Sequence, residues 1–247
     1  EKTGIGVMST FMGKGAVDHD ADYCLYTIGL GQRDYVVDAV EAADCVITLG
    51  YDLVEYPPQR WNSGDEKVII HLDFEPAEID AHYSPDVEVV GDIAHAMWAL
   101  NQRVDSEGSP DFDLALQADV RARMTADFEA HKDDDTKGAI RPQKAIWDVR
   151  QALGPNDVLL SGVGAHKMWI ARYYQCNEPN TCLVPNGFCT MGIPLPGVVG
   201  AWMANPDVKV MGIAGDGDFL MNVQEMETAR RLNADVTMMV WEDGGYG

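Results

Sequence analysis

The sequence has few basic residues. Lysine and arginine together number 18, against 40 aspartates and glutamates, so the formal net charge is −22 over 247 residues. Proteins bind nucleic acids and anionic membrane surfaces through many positive charges, which neutralise the phosphates. The composition therefore predicts neither a nucleic-acid partner nor a membrane partner.

Long apolar runs and cysteine pairs are also missing. No stretch approaches the roughly 18 apolar residues of a membrane-spanning helix, and the opening EKTGIGVMS has no signal-peptide pattern. The five cysteines are odd in number and form no CxxC pair: Cys24, Cys45, Cys176, Cys182 and Cys189. These absences predict a reduced, cytoplasmic protein. Within it we expect Cys45, in the apolar run CVITLG, to be a small buried residue.

The chain does contain apolar runs that alternate with helical patterns, which is typical of doubly wound, parallel α/β sheets. The predicted strands of a first unit are residues 4–11, 45–50, 67–74 and 87–90. Those of a second unit are residues 158–161, 181–185, 208–214 and 236–241. We therefore predict two α/β domains, at 1–104 and 142–247, joined by a linker at 105–141 that contains one helix.

The most informative motif is Gly215-Asp216-Gly217, which directly follows the apolar run VKVMGIA. An amphipathic helix is predicted after it, and the next apolar run, VTMMVW, leads to Asp243. Parallel strands joined by helical crossovers end at one edge of the sheet, where ligands bind. Two carboxylates and a carbonyl at that edge, beside a helix N-terminus, can hold Mg²⁺ against a diphosphate.

The motif has two other interpretations. A lone Gly-Asp-Gly is also compatible with a simple tight turn after a strand. An EF-hand loop starting at Asp216 fails, because Leu220 and Met221 stand where a ligand and the required glycine belong.

The spacing resembles the thiamine-diphosphate enzymes of the pyruvate decarboxylase and acetolactate synthase superfamily. Their signature is GDG followed by a pair that is usually Asn-Asn, which here reads Glu242-Asp243. The segments that resemble acetolactate synthases are FMGKGAVDHD (11–20), LGYDLVEYPPQRWN (49–62), SGVGAHKMWIARYY (161–174) and NGFCTMGIPLPGVVGAW (186–202). The first two are similar to the central domain of the catabolic type.

The resemblance also implies a domain organisation. Residues 1–104 would be a central domain that is truncated at its N-terminal end, and residues 142–247 a thiamine-diphosphate-binding domain that is truncated at its C-terminal end. In this family a glutamate that activates the cofactor comes from an N-terminal pyrimidine-binding domain of a neighbouring subunit. No segment of this sequence corresponds to that domain. We therefore assign no catalytic residue within the chain and expect an interior piece of a longer polypeptide, inactive alone, that forms a homodimer or homotetramer.

The resemblance further implies which residues hold the cofactor. The metal ligands would be the side chains of Asp216 and Asp243 and the carbonyl of Gly245. Met191 would support the bent form of the cofactor, the alternative being a core methionine at a helix start. His166 would lie beside the diphosphate, the alternative being a helix cap or a core hydrogen-bonding residue. The full predicted cofactor-binding set is Val163, Gly164, Ala165, His166, Cys189, Met191, Asp216, Gly217, Asp218, Asp243, Gly245, Tyr246 and Gly247.

Two positions depart from relatives. The biosynthetic branch of the family binds FAD through an Arg-Phe-Asp-Asp-Arg run, and the corresponding stretch here is GYDLVEYPPQRW. The resemblance therefore implies that FAD is absent. Gly162 stands where acetolactate synthases that resemble this chain usually have Asp.

The function implied is that of a thiamine-diphosphate- and Mg²⁺-dependent acetolactate synthase. Such an enzyme condenses two molecules of pyruvate to 2-acetolactate and releases CO₂. Another 2-oxoacid decarboxylase or carboligase on the same scaffold is one alternative. A non-catalytic relative that acts as an interaction module is another.

Overall fold

A computed structural model describes residues 2–31, 34–64 and 66–242 of the chain. All of the strand pairings between its elements are parallel. The strands fall into three sheets, and helices follow or separate the strands. The structure thus confirms the predicted α/β class with parallel sheets. Within the described ranges, no helix combines the length and apolar character needed to cross a membrane.

The N-terminal unit contains a two-stranded and a three-stranded sheet, the latter in the order β3-β4-β5. The strands are β1 (Val7–Ser9), β2 (Cys24–Thr27), β3 (Cys45–Leu49), β4 (Val68–Asp73) and β5 (Val87–Val90). The helices are α1 (Tyr35–Ala42), a 3₁₀ turn at Pro58–Arg60, α2 (Ile93–Glu107) and α3 (Ala115–Glu129). Strand β2 has no counterpart among the predicted strands, although all four of its residues are buried.

Helix α3 lies within the segment predicted as a linker, and it packs on the N-terminal unit. It buries Val120, Met124 and Phe128 in the core that also holds Val36 and Ile69. These three side chains recur every four residues and so share one helix face. The predicted domain boundaries at 104 and 142 stay a prediction.

The C-terminal unit is a four-stranded sheet in the order β7-β6-β8-β9. Its strands are β6 (Val158–Ser161), β7 (Cys182–Leu183), β8 (Val210–Gly215) and β9 (Val236–Trp241). Its helices are α4 (Pro142–Ala152), α5 (Ala165–Tyr173), α6 (Pro194–Ala204), α7 (Asp216–Met221) and α8 (Glu225–Leu232). Neighbouring residues of β6 enter different cores, with Leu159 beside Ile146 and Ile170, and Leu160 beside Val198. The sheet is therefore covered on both faces, as parallel sheets usually are.

The amphipathic helix predicted after the Gly-Asp-Gly motif corresponds to α8, which follows the short helix α7 and a turn at residues 222–224. One expectation about local structure is wrong. Cys45 is exposed instead of buried. It shares one face of β3 with Ile47 and Leu49, and no described residue covers that face well enough to bury these side chains.

The two units meet along α5, whose last turn carries buried polar groups. Lys14 Nζ donates a hydrogen bond to the carbonyl oxygen of Ala171 at 2.9 Å. Arg172 forms an ion pair with Asp34, its Nη2 lying 3.3 Å from Oδ1. All four residues are buried, so these bonds connect the units inside the protein.

Candidate cofactor site

The candidate site lies at the carboxyl edge of the four-stranded sheet. In the parallel register, Gly215 of β8 pairs with Trp241 of β9, and Ile213 of β8 pairs with Ser161 of β6. The chain therefore leaves β6, β8 and β9 at this one edge, at Gly162, Asp216 and Glu242 respectively. This edge is where parallel α/β sheets bind their ligands.

Asp216 is placed where a metal ligand is predicted. It is the first residue of α7 and is half-buried, and its Oδ1 accepts a hydrogen bond from the backbone N–H of Gly217 at 2.7 Å. A carboxylate is a preferred ligand of Mg²⁺. Trp241, the last residue of β9, pairs with Gly215, directly before Asp216. The second predicted ligand, Asp243, follows Trp241 by two residues in the sequence. The donor type and its position therefore fit an Mg²⁺ site.

The remaining predicted residues after β9 lie outside the described residues: Asp243, Gly245, Tyr246 and Gly247. Within the described ranges, no three His, Cys, Asp or Glu side chains are grouped closely enough to hold a metal ion. The ligand set of Asp216, Asp243 and Gly245 stays a prediction.

Asp218 belongs to the predicted cofactor-binding set, but its carboxylate points into the protein. Its side chain is only 1% exposed. Oδ2 accepts a hydrogen bond from the N–H of Val163 at 3.2 Å, and Oδ1 accepts one from the N–H of Gly192. The carboxylate thus connects the turn after β6 to the loop before α6.

His166 lies in the first turn of α5, and its ring fills a hollow between the ends of β6 and β8. The residue is 4% exposed, and its Nε2 is 3.7 Å from Oδ2 of Asp218. The hollow is lined by glycines: a Cβ added to Gly164 or Gly215 would lie 3.0 or 3.4 Å from the ring carbon Cε1. The ring thus supports the turn that carries Val163 to Ala165. A direct contact between His166 and the cofactor stays a prediction.

The loop that carries Cys189 and Met191 is fixed at Gly192. The N–H of Gly192 donates a hydrogen bond to Asp218, and the carbonyl oxygen of Gly192 accepts one from Nδ2 of Asn222 at 3.0 Å. Gly192 has a φ of 86°, a conformation that favours glycine. Met191, directly before it, is half-buried. Asp218 in α7 and Asn222 directly after α7 therefore hold the residue that follows Met191.

Sequence reasoning missed Lys167, which supports the same loop from the other side. Lys167 is buried, and its Nζ donates a hydrogen bond to Oδ1 of Asn186 at 3.0 Å. The same Nζ is 3.4 Å from Sγ of Cys189 and lies 5.1 Å from the ring centroid of Phe11. The available signal was a lysine directly after His166, in a helix whose neighbouring residues are largely apolar.

Two family models of thiamine pyrophosphate enzyme domains match this chain. Residues 1–100 match the model of the thiamine pyrophosphate enzyme central domain. Residues 162–247 match the model of the thiamine pyrophosphate enzyme C-terminal domain, described as TPP-binding. The chain belongs to the thiamine pyrophosphate enzyme family. The second match begins at Gly162 and thus includes every residue of the predicted cofactor-binding set.

Similar curated members of the family are acetolactate synthases. Acetolactate synthase of Bacillus subtilis is 32% identical over 247 residues, which are 100% of this chain and 43% of the relative. A catabolic acetolactate synthase of Raoultella terrigena is 36% identical over 243 residues, which are 95% of this chain and 42% of the relative. A chloroplastic acetolactate synthase of Nicotiana tabacum is 32% identical over 263 residues, which are 100% of this chain and 39% of the relative. These matches confirm the resemblance, and the chain spans about two fifths of each relative's length.

Proposed function

We propose that this chain is part of a thiamine-diphosphate- and Mg²⁺-dependent enzyme that condenses two pyruvates to 2-acetolactate and releases CO₂. One observation carries the proposal. The chain is similar to acetolactate synthases over at least 95% of its length. At one edge of its four-stranded sheet it brings together Asp216, the turn after β6 and the loop before α6.

The residues of the site would bind and orient the cofactor. Asp216, together with Asp243 and the carbonyl of Gly245, would hold Mg²⁺, and the metal would hold the diphosphate. Mg²⁺ and backbone N–H groups can bind phosphates without a cluster of lysines and arginines, which fits so acidic a chain. Met191, on the loop fixed at Gly192, would press the cofactor into its bent form. When bound, thiamine diphosphate supplies the electron sink for decarboxylation of a 2-oxoacid.

We further propose that the enzyme works without FAD, as the resemblance to the catabolic type implies. In the segment that stands in place of the flavin-binding run, aromatic side chains contact one another and the segment's own backbone. Trp61 Nε1 donates a hydrogen bond to the hydroxyl of Tyr51 at 3.2 Å, and that hydroxyl donates to the carbonyl oxygen of Tyr56. The ring of Tyr51 also lies 5.5 Å from that of Tyr83. The support for the proposal is the sequence of this segment, GYDLVEYPPQRW, which lacks the Arg-Phe-Asp-Asp-Arg run.

The assembly is proposed from the resemblance as well. We propose a cytoplasmic homodimer or homotetramer in which a neighbouring subunit supplies the glutamate that activates the cofactor. The substrate would be a small 2-oxoacid, pyruvate in the first instance.

The metal ligand is the point at which the proposal is tested. Asp216→Ala in the intact protein should weaken Mg²⁺-dependent binding of thiamine diphosphate by about a hundredfold or more, since even outer-shell changes at metal sites lower affinity by roughly 10- to 100-fold. Isothermal titration calorimetry measures this affinity. Asp235→Ala is the matched control, because Asp235 is an exposed carboxylate at the opposite end of β9. Equal affinity in both variants would overturn the metal assignment.

Product analysis separates the proposed reaction from its alternatives. Intact protein given pyruvate, Mg²⁺ and thiamine diphosphate should release CO₂ and form acetolactate, which acid converts to acetoin. Acetaldehyde without acetoin would instead identify a 2-oxoacid decarboxylase. Cofactor-loaded protein that turns over no 2-oxoacid would identify an interaction module.

A further inference from the structure

The buried carboxylate of Asp218 requires a structural reason. A charge removed from water is strongly unfavourable unless it is paired or hydrogen-bonded. The Asp218 side chain is 1% exposed, and its two oxygens accept hydrogen bonds from Val163 and Gly192. These donors belong to two different segments of the candidate site. The carboxylate is therefore a bridge between these two segments.

The space for this bridge exists because residue 162 is glycine. A Cβ at position 162 would lie 1.8 Å from Oδ2 of Asp218, well inside van der Waals contact. It would also lie 2.8 Å from Cγ of Pro194 and 2.9 Å from Nε2 of His166. Gly162 is thus required by close approach of neighbouring atoms. Any side chain at 162 competes with the Asp218 carboxylate for the same volume.

We propose that Asp218 is a positioning residue of the cofactor site and that Gly162 is its necessary complement. In acetolactate synthases that resemble this chain, an aspartate usually stands at position 162. Here the volume beside residue 162 holds the carboxylate of Asp218, which follows β8. Gly162 and Asp218 are then one coupled feature of the sequence.

The functional effect of Asp218 passes through Gly192. The N–H of Gly192 donates a hydrogen bond to Asp218 in α7, and its carbonyl oxygen accepts one from Asn222 directly after α7, so the two peptide groups that flank Gly192 are both held. Met191 precedes this peptide directly. Loss of the Asp218 carboxylate therefore frees the segment that carries Met191, and it leaves the buried N–H of Gly192 without its acceptor. The link from Met191 to the cofactor rests on the proposed function, whereas the coupling of Gly162 to Asp218 does not.

A double-mutant cycle on the intact protein without cofactor tests the coupling. Asp218→Ala and Gly162→Ala should each lower the melting temperature by about 4–8 °C, as expected for a lost buried acceptor or a forced contact. In the double variant, Gly162→Ala should lower the melting temperature by only about half as much or less, because the severest clash is gone. The matched controls are Gly200→Ala, where an added Cβ has no atom within 4 Å, and the exposed Asp207→Ala.

Additive losses in this cycle, or a Gly162→Ala variant as stable as Gly200→Ala, would overturn the coupling. If Gly162→Ala alone is too unstable to purify, a double variant that folds supports the coupling, and a double variant that fails to fold while Asp218→Ala folds refutes it. If Asp218→Ala alone does not fold, Asp218→Ser replaces it in the cycle. The cycle needs no bound cofactor, so it remains informative even where the proposed function is wrong.

Affinity measurements test the positioning role separately. Well below its melting temperature, Asp218→Ala should bind thiamine diphosphate with Mg²⁺ about tenfold more weakly than the wild type, by analogy with outer-shell changes. Asp218→Asn, which keeps one acceptor oxygen, should lose less. A residue with a merely structural role would lower the melting temperature and leave this affinity unchanged, and that result would overturn the assignment. If the wild type binds no thiamine diphosphate, the proposed function fails, and with it the positioning role.

Discussion

The buried His19 makes the stability of this protein sensitive to mild acid. His19 is 7% exposed, and its ring packs 4.8 Å from the ring of Tyr26 and 5.2 Å from that of Phe128. Burial, reinforced by the charges of Lys14 and Arg121 against the smaller opposing effect of Asp18, lowers the pKa of His19 to about 3. Its ordinary value is about 6.5. The folded protein therefore keeps His19 neutral at pH values where the unfolded chain protonates it.

The sign and size of the effect follow from linkage. The unfolded state binds more protons between pH 6.5 and pH 3, so stability is fully present above about pH 6.5 and is lost as the pH falls toward 3. Each pH unit in this window corresponds to about 1.4 kcal/mol. Lowering the pH from 7 to 5 should thus remove about 2 kcal/mol through His19 alone. In a domain of this size that is roughly 4–8 °C of melting temperature.

Differential scanning calorimetry of the intact protein at pH 7 and pH 5 measures the difference. His19→Gln should lose about 4–8 °C less between the two pH values than the wild type does. The exposed His95→Gln should lose as much as the wild type. If His19→Gln and the wild type fall by the same amount, His19 titrates normally in the folded state and the reasoning is wrong.

Three further predictions concern the cofactor site and its loop. Met191→Ala should lower kcat by roughly a hundredfold and change the affinity for thiamine diphosphate less, because a displacement on the order of 1 Å misaligns the bent cofactor without removing the metal. Steady-state kinetics measures kcat, and calorimetry measures the affinity. A loss of affinity with unchanged kcat would contradict this prediction. The intact purified protein should show no absorbance near 450 nm, and stoichiometric FAD released on denaturation would contradict this prediction. Gly192→Ala should destabilise the protein in urea unfolding by about 1–3 kcal/mol more than Gly187→Ala, because an added methyl group at 192 is crowded. Both glycines have positive φ, but of the two only a Cβ at 192 would lie close to a neighbour, 2.6 Å from Asn222 Nδ2. Equal losses would show that φ alone matters.

The sequence predicts the layout of the site better than the orientation of its side chains. The strand predicted at 236–241 has the observed bounds, and β8 begins and ends within two residues of its predicted run. Apolar runs and helical crossovers determine these features, because parallel strands must end at a common edge. The position of Asp216 at that edge follows from the same rule.

Orientation depends on tertiary contacts that no local pattern contains. Asp216 and Asp218 stand two residues apart in one motif, yet Asp216 is half-buried and Asp218 is enclosed. Which of them turns inward depends on the empty volume at Gly162, 54 to 56 residues earlier in the chain. Cys45 illustrates the converse case, since its apolar run predicts burial but burial needs a covering layer.

Helix α5 connects the N-terminal unit to the turn after β6. It has nine residues, about 13 Å in length. His166 stands at one end, in the hollow between β6 and β8, and Arg172 with the carbonyl of Ala171 is bound to the N-terminal unit at the other. Because so short a helix bends little, we expect a tilt of the N-terminal unit at this contact to displace the turn after β6. The N-terminal unit carries none of the predicted cofactor-binding residues, yet α5 links it to the turn that carries three of them.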